Sequence, residues 1–226
     1  MKKQLTFSAF RTANVTRCLK WHPQGIDSWS SADWFVAILG EFGELASLVK
    51  MWNRERDDLP GNKFAPTAEL LGKEAADVVT YLDLFCASWE IPLCPTFESF
   101  GTMRDNNFDM FSRFNQQMFT EMDNSAFMVQ LAQEIGKLSL SFRPLYSKRD
   151  IQSAVSNILQ WLDIFCYRNG VNLQVAVVQK FNEISERVGF PDRICLFGED
   201  TCSKCGAVGQ YINTLLDDHH CEPRQV

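Results

Sequence analysis

Apolar residues recur at helical spacing along most of the chain. After Ser30, an apolar residue stands at every third or fourth position from Phe35 to Trp52. Ser30 and Asp33 form the S-x-x-D pattern of a capping box, which marks the start of a helix. The pattern therefore predicts a helix of about five turns beginning after this cap.

The same spacing predicts further helices and no convincing strand. A second helix is expected from about Thr67 to Glu90, following a polar loop that contains Pro60-Gly61-Asn62. Further helices are expected over residues 97–122, 125–142, 150–169 and 173–188. We therefore expect an all-α helical bundle with a small C-terminal appendix that begins near Phe190.

Composition and charge exclude several classes of function. The 226 residues carry a net charge of −6 and are 46% hydrophobic, which is typical of a soluble chain with a sizeable core. Without clustered Lys and Arg, binding to a nucleic-acid polymer is not expected. No stretch approaches the roughly 20 apolar residues of a membrane span, and the N-terminus has no secretory pattern. We therefore expect a cytoplasmic protein with no membrane partner.

Two short segments repeat in the same order. Residues 82–86 return as residues 162–166 at an offset of 80, and residues 41–45 are echoed by residues 134–138 at an offset of 93. The difference, 93 − 80 = 13, predicts a second helix pair whose connecting loop is 13 residues shorter. Chance similarity between amphipathic helices is the alternative.

The first copy carries two pairs of carboxylates at i, i+3 spacing. Glu41 and Glu44 share one helix face, as do Glu74 and Asp77 on the next helix. The aligned positions of the second copy are Glu134, Lys137, Ala154 and Asn157. Each acid pair borders the apolar stripe, so antiparallel packing of the two helices would bring all the acids together. A solvated acidic surface is the alternative.

Crowded carboxylates repel one another unless a cation neutralises them. Ligands that are all oxygen favour a hard ion, Mg²⁺ or Mn²⁺. A ferritin-like di-iron site needs Glu-x-x-His pairs, and the histidines, His22, His219 and His220, do not form them. The quartet therefore predicts a magnesium or manganese site.

The segments around these acids resemble a known family. Residues 40–45 and 74–83 are similar to the E-x-x-E…E-x-x-D signature of the all-α nucleoside triphosphate pyrophosphohydrolases, which include MazG, the dimeric dUTPases and the dCTP pyrophosphatases. The resemblance covers roughly residues 8–92 and 170–194. It implies a MazG-like catalytic half over residues 1–95, then a degenerate second helix pair and a family-like C-terminal helix over residues 96–194.

The resemblance also implies an activity. It is the hydrolysis of a (deoxy)nucleoside triphosphate substrate to monophosphate and pyrophosphate, with Mg²⁺ (or Mn²⁺) held by Glu41, Glu44, Glu74 and Asp77. Glu41 is the candidate that accepts the proton of the attacking water. Ser47 stands where many relatives carry another acid, so the number of metals is open. The assembly is expected to be a homodimer or an intramolecular pseudo-dimer.

Candidate substrate residues follow from the same resemblance. His22, Trp34 and Tyr81 are candidates for lining the base or sugar pocket, with an aromatic core as the alternative for Trp34 and Tyr81 and a capping or surface role for His22. Candidates for phosphate contact are Lys50, Arg54, Lys180, Asn182 and Arg187. For Lys50 and Arg54, solvation at the surface is an equal alternative.

The C-terminal tail, residues 195–226, has the ligand types of a zinc knuckle. The preferred ligands of a structural Zn²⁺ are Cys202, Cys205, His219 and Cys221. Cys195 is a spare candidate, and metal-free cysteines are the alternative. A second hypothesis for the whole protein is a non-catalytic nucleotide-binding or adaptor protein that uses this tail to dock a partner.

Overall fold

The regular structure of this computed structural model is α-helical. The structure describes residues 5–93 and 122–194, and these contain no β-strand. The α-helices are α1 (Phe7–Cys18), α2 (Ser31–Arg56), α3 (Ala68–Ser88), α4 (Asn124–Leu138), α5 (Lys148–Arg168) and α6 (Leu173–Arg187). The predicted all-α class is confirmed. The helix expected over residues 97–122 and the cysteine-rich tail lie outside the described residues.

The predicted capping box of α2 is present. The Ser30 hydroxyl accepts a hydrogen bond from the Asp33 backbone N–H at 3.2 Å, and the Asp33 carboxylate accepts one from the Ser30 N–H at 2.9 Å. Helix α5 begins with a second such box, formed by Ser147 and Asp150. Helix α4 begins one residue before its predicted start, with Asp123 as the cap, and after Leu138 the chain continues as a 3₁₀ turn.

Helices α2 and α3 form an antiparallel pair, called here the first helix pair. Ser88 near the end of α3 hydrogen-bonds Ser31 at the start of α2 at 3.0 Å. At the opposite end, the Trp52 indole N–H donates to the carbonyl of Pro66, just before α3. Glu41 and Glu44 lie midway along α2, and the antiparallel arrangement sets them beside the middle of α3.

Helices α4 and α5 form a second antiparallel pair. Asn124 at the start of α4 exchanges side-chain hydrogen bonds with Asn169, which follows α5. The second helix pair packs against the first through α2 and α4 and through α3 and α5. The amide of Asn53 donates to Ser125 at 2.9 Å, so the end of α2 meets the start of α4.

Helix α1 packs on α3, and the hydrophobic pattern of the sequence does not define where α1 begins and ends. The Thr6 hydroxyl caps its start by accepting from the Ala9 N–H, and Phe7, Phe10 and Cys18 are buried. Helix α6 packs closely on α3. A Cβ atom at Gly72 would lie 3.2 Å from Ala176 of α6, so the glycine permits this close approach.

The helices join in one hydrophobic core. Among the residues that the structure describes, no helix is both long enough and apolar enough to cross a membrane.

Candidate functional site

Three acidic residues of the first helix pair come together at one point, as the spacing predicts. Glu41 and Glu44 of α2 and Glu74 of α3 each offer a carboxylate oxygen within 4.8 Å of the others. Glu44 is exposed, whereas Glu41 and Glu74 are half-buried. We call these three residues the acid cluster. The antiparallel packing therefore assembles three of the four predicted metal ligands into an accessible group.

The fourth predicted ligand, Asp77, has a different partner. It lies one turn beyond Glu74 on α3, is buried, and forms an ion pair with Lys180 of α6, whose Nζ is 2.7 Å from Oδ2. Lys180 was predicted to contact phosphate, and the structure places its ammonium group at the inner border of the acid cluster. In this state a protein cation neutralises the innermost carboxylate of the site.

Burial and nearby negative charges raise the pKa values of Glu41, Glu74 and Asp77. Burial, followed by the charges of Asp77, Glu44 and Glu74, raises the pKa of Glu41 to about 7. Burial also raises the pKa of Glu74 to about 6, aided by the charges of Glu44 and Asp77 and by a hydrogen bond to Glu44. The pKa of Asp77 is raised by burial, which outweighs the opposing effect of Lys180.

The donor set of the acid cluster fits a hard divalent cation. Every donor is a carboxylate oxygen, the ligand type that Mg²⁺ and Mn²⁺ prefer, and the oxygens of Glu41, Glu44 and Glu74 converge from two rigid helices. Because a cation binds the deprotonated carboxylates, it would reverse the raised pKa values of Glu41 and Glu74. Glu44 leaves the group open to solvent on one side.

An aromatic cluster adjoins the acids. It comprises His22, Trp29, Trp34 and Tyr81. Ring centroids are 4.5 Å apart for His22 and Trp29, 4.7 Å for Trp29 and Trp34, and 6.4 Å for Trp34 and Tyr81. Burial and then the charges of Glu41 and Asp77 raise the pKa of the Tyr81 hydroxyl, so this ring links the aromatic cluster to the acids.

Within the aromatic cluster, Trp34 is a core residue and Trp29 presents the accessible ring. Trp34 is fully buried and its indole N–H donates to the carbonyl of Ile26. Trp29 is 38% exposed and was not predicted as a site residue. The sequence did offer one signal for Trp29: it directly precedes the Ser30 cap, so it lies outside helix α2 and is not part of the buried stripe of that helix.

The remaining residues that were predicted to contact phosphate fall into three groups. Burial lowers the pKa of Arg17, and the nearby charge of Arg187 adds a small effect in the same direction, so Arg187 lies near this buried residue. Lys50 is exposed toward the far end of α2, and Arg54 lies beside the Gly61 loop, since a Cβ at Gly61 would be 3.5 Å from its guanidinium. Asn182 uses both polar atoms on the backbone of Ile194, which gives it a structural role.

Arg17 is the functional candidate that the sequence reasoning missed as a site residue. Its guanidinium is fully buried behind Asp77, with a centroid distance of 3.8 Å to the Phe181 ring. It donates to the Phe181 carbonyl at 2.7 Å and to the Asn14 side chain at 3.1 Å. Burial lowers its pKa to about 10, so it remains charged at neutral pH.

In the second helix pair, protein side chains donate to the one carboxylate that remains at the positions aligned with the four acids. Glu134, at the position aligned with Glu41, is buried and accepts from Lys137 at 2.7 Å and from the Asn157 amide at 3.1 Å. Lys137 and Asn157 are aligned with Glu44 and Asp77. Protein donors therefore satisfy Glu134, and this pair has no group of converging acids.

No protein-family model, curated protein or solved structure matches this chain.

Proposed function

We propose that this protein is a metal-dependent nucleoside triphosphate pyrophosphohydrolase. The observation that carries the proposal is the acid cluster, in which Glu41, Glu44 and Glu74 converge from two antiparallel helices within 4.8 Å. Such a cluster costs folding free energy through repulsion, and a divalent cation relieves that repulsion. The family resemblance of the surrounding segments supplies the reaction class.

The residues present fit Mg²⁺ or Mn²⁺, and Glu41, Glu44 and Glu74 would hold it, with Asp77 joining them on release of Lys180. When bound, the cation would neutralise triphosphate oxygens and make water a better nucleophile. Side chains of the protein would bind and orient the substrate and would accept protons beside the cation.

Glu41 is the proposed proton acceptor. In the metal-free chain burial raises the pKa of Glu41 to about 7, above that of Glu74, so a Glu41 carboxylate that the cation does not fully engage would accept a proton most readily near neutral pH. Its carboxylate is half-buried, which limits the water that reaches it. We therefore assign to Glu41 the acceptance of a proton from the attacking water.

Lys180 and the aromatic cluster are the proposed substrate contacts. Only 15% of the Lys180 side chain is exposed, so its ammonium group is held beside the acids rather than in solvent. A nucleobase would stack on the exposed ring of Trp29, with His22 beside it, and Tyr81 would face the sugar. Burial lowers the pKa of His22, which favours the neutral ring at pH 7.

The second helix pair is proposed as a degenerate MazG-like copy of the first. At offsets of 93 and 80, the contact between Trp34 and Tyr81 corresponds to that between Phe127 and Trp161, whose centroids are 5.7 Å apart. One aromatic contact of the apolar frame is thus matched, whereas three of the four acids are replaced, by Lys137, Ala154 and Asn157. In this proposal the second pair supports the first as an intramolecular pseudo-dimer.

Product analysis tests the proposed function. The full chain is incubated with a panel of ribo- and deoxynucleoside triphosphates, with and without Mg²⁺, and the products are separated by ion exchange. We expect equal amounts of monophosphate and pyrophosphate from at least one substrate. Nucleotide binding without any turnover would instead favour the non-catalytic adaptor hypothesis.

A further inference from the structure

A chain of buried hydrogen bonds links the two helices that carry Asp77 and Lys180. Asn14 of α1 donates its amide to the carbonyl of Thr80, on α3, at 3.0 Å. The oxygen of the same amide accepts from Arg17 at 3.1 Å, and Arg17 donates to the carbonyl of Phe181, on α6, at 2.7 Å. Both ends of this chain are next to the site: Thr80 is three residues from Asp77, and Phe181 follows Lys180.

Each link in this chain is buried and specific. Asn14 and Arg17 are both 0% exposed, so their hydrogen bonds have no competition from water. Asn14 also donates to the buried Asp83 at 3.0 Å, which fixes the orientation of its amide. A guanidinium serves this purpose better than an ammonium group, because its planar fork reaches two acceptors at fixed angles.

We propose that Arg17, acting with Asn14, is a positioning residue that holds α6 against α3 so that the Lys180 ammonium group lies on Asp77. The proposal rests on the function proposed above only in taking Lys180 as a phosphate contact. Arg17 is fully buried and touches no substrate in this scheme; it acts through the peptide group beside Lys180.

Arg11 provides a matched control on the same helix. It is also an α1 arginine with a buried carboxylate partner, Asp83, and it donates to the carbonyl of Ile91 at 3.1 Å. Its contacts join α1 to α3 and to the residues after α3, and none of those partners lies on α6. Arg11→Lys keeps a positive charge beside Asp83, the residue that also accepts from the Asn14 amide, and it leaves the hydrogen bonds of Arg17 to Asn14 and Phe181 in place.

A double-mutant cycle in two backgrounds tests the proposal without any activity measurement. The coupling between Lys180→Met and Asp77→Asn is measured by urea unfolding of the metal-free full chain, in the wild type and in Arg17→Lys. We expect a coupling of roughly tenfold in the folding equilibrium constant in the wild type, within the usual range for contacting charges. In Arg17→Lys it should fall to about twofold or less. Arg17→Lys is preferred because Lys keeps the charge and a hydrogen-bond donor. Arg17→Met would leave the buried Phe181 carbonyl and the Asn14 amide oxygen without this donor, which makes unfolding of the whole chain more probable.

The control and a binding measurement complete the test. In the Arg11→Lys background the coupling should remain near its wild-type value. Coupling that persists in Arg17→Lys, or that is lost equally in Arg11→Lys, overturns the positioning role.

Affinity for a non-hydrolysable triphosphate analogue should fall about tenfold in Arg17→Lys, the scale of one lost hydrogen bond to a charged group. If coupling is lost but analogue affinity is unchanged, the positioning role stands and the phosphate role of Lys180 is wrong. If the wild type binds no triphosphate at all, the proposed function fails and the coupling result still decides the role of Arg17.

Discussion

At the scale of single residues, the carboxylates of the site differ in whether a positively charged side chain neutralises them. Asp77 has Lys180 at 2.7 Å, and Glu134 in the second pair has Lys137 at 2.7 Å. Glu41 and Glu74 face other acids, and their raised pKa values follow from burial and that repulsion. Carboxylates with raised pKa values are concentrated at functional sites, and the proposed function assigns a divalent cation to this one.

The pH dependence of stability should report this repulsion in metal-free buffer. The folded-state pKa values of Glu41 (about 7) and Glu74 (about 6) both lie above the ordinary 4.5. The folded form therefore binds protons more tightly, and the contribution of these two groups to stability falls as the pH rises from 4.5 to 7. Glu41→Gln should remove the part of this fall near pH 7. Because Glu41 is partly exposed, we expect Glu41→Gln to be more stable than the wild type by only ~1 kcal/mol at pH 8, which corresponds to a Tm that is about 2–4 °C higher.

Thermal melts from pH 4 to pH 8 in chelator check this expectation. Glu55→Gln, an exposed change on the same helix, is the control and should leave the curve unchanged. Identical curves for the wild type and Glu41→Gln would mean that Glu41 is not held in a repulsive environment.

Asp77→Asn should behave differently from a change in the acid cluster. It removes one partner of a buried ion pair and leaves the Lys180 charge without its carboxylate, which typically costs about 3–5 kcal/mol. Urea unfolding of the metal-free chain should show this loss, whereas Glu44→Gln should be neutral or stabilising. Equal stability of Asp77→Asn and the wild type would contradict the structural role of the pair.

At the scale of helices, the sequence predicts elements better than it predicts contacts between them. Helices α2 to α6 could be located because their apolar residues repeat at helical spacing and because Ser30 and Asp33 form a recognisable capping box. Helix α1 lacked bounds because it buries polar residues as well, and Asn14 and Arg17 interrupt its stripe. The partnership of Asp77 with Lys180 joins residues more than one hundred positions apart, and no local spacing encodes it.

The same limit applies to the predicted site. Convergence of Glu41, Glu44 and Glu74 follows from i, i+3 spacing and antiparallel packing, so it was predictable. The roles of Trp34 in the core and of Asn182 on Ile194 depend on which face of each helix meets a neighbour. Those orientations are set by tertiary packing.

The second helix pair should be dispensable for the chemistry. Glu134→Gln should change kcat and KM by less than about twofold, because Glu134 is bound by Lys137 and Asn157 and contacts neither substrate nor cation in the proposed scheme. Loss of its ion pair with the half-exposed Lys137 should cost ~1 kcal/mol or less. Steady-state kinetics and urea unfolding measure the two effects. A loss of activity as deep as that of Glu44→Gln, in a folded chain, would show that the second pair contributes to catalysis.

At the scale of the whole molecule, the described helices form one hydrophobic core, which extends to Ile194. Ile194 is fully buried and its backbone is held by Asn182, so the chain is anchored on α6 up to this point. Zinc at Cys202, Cys205, His219 and Cys221 would be bound by soft ligands, which suit zinc and not the cation of the acid cluster.

Truncation after residue 197 should therefore spare both the helical bundle and catalysis. It keeps the contact between Ile194 and Asn182, and we expect kcat within about twofold of that of the full chain. Metal analysis should find one equivalent of zinc in the full chain and none after truncation. A collapse of kcat with unchanged helical circular dichroism and unchanged size would place the tail in the active site.

The central claim is that the acid cluster supports Mg²⁺-dependent release of pyrophosphate. The most direct measurement compares the wild type, Glu44→Gln and Glu134→Gln, quantifying monophosphate and pyrophosphate from the best triphosphate at saturating Mg²⁺. Wild type and Glu134→Gln should release both products at similar rates. Turnover by Glu44→Gln should be slower by more than about a hundredfold. Changing a residue that only hydrogen-bonds a metal ligand already lowers activity by up to about a hundredfold, and Glu44 is proposed as a ligand itself. Near-normal turnover by folded Glu44→Gln, or diphosphate and orthophosphate as the wild-type products, would contradict the account.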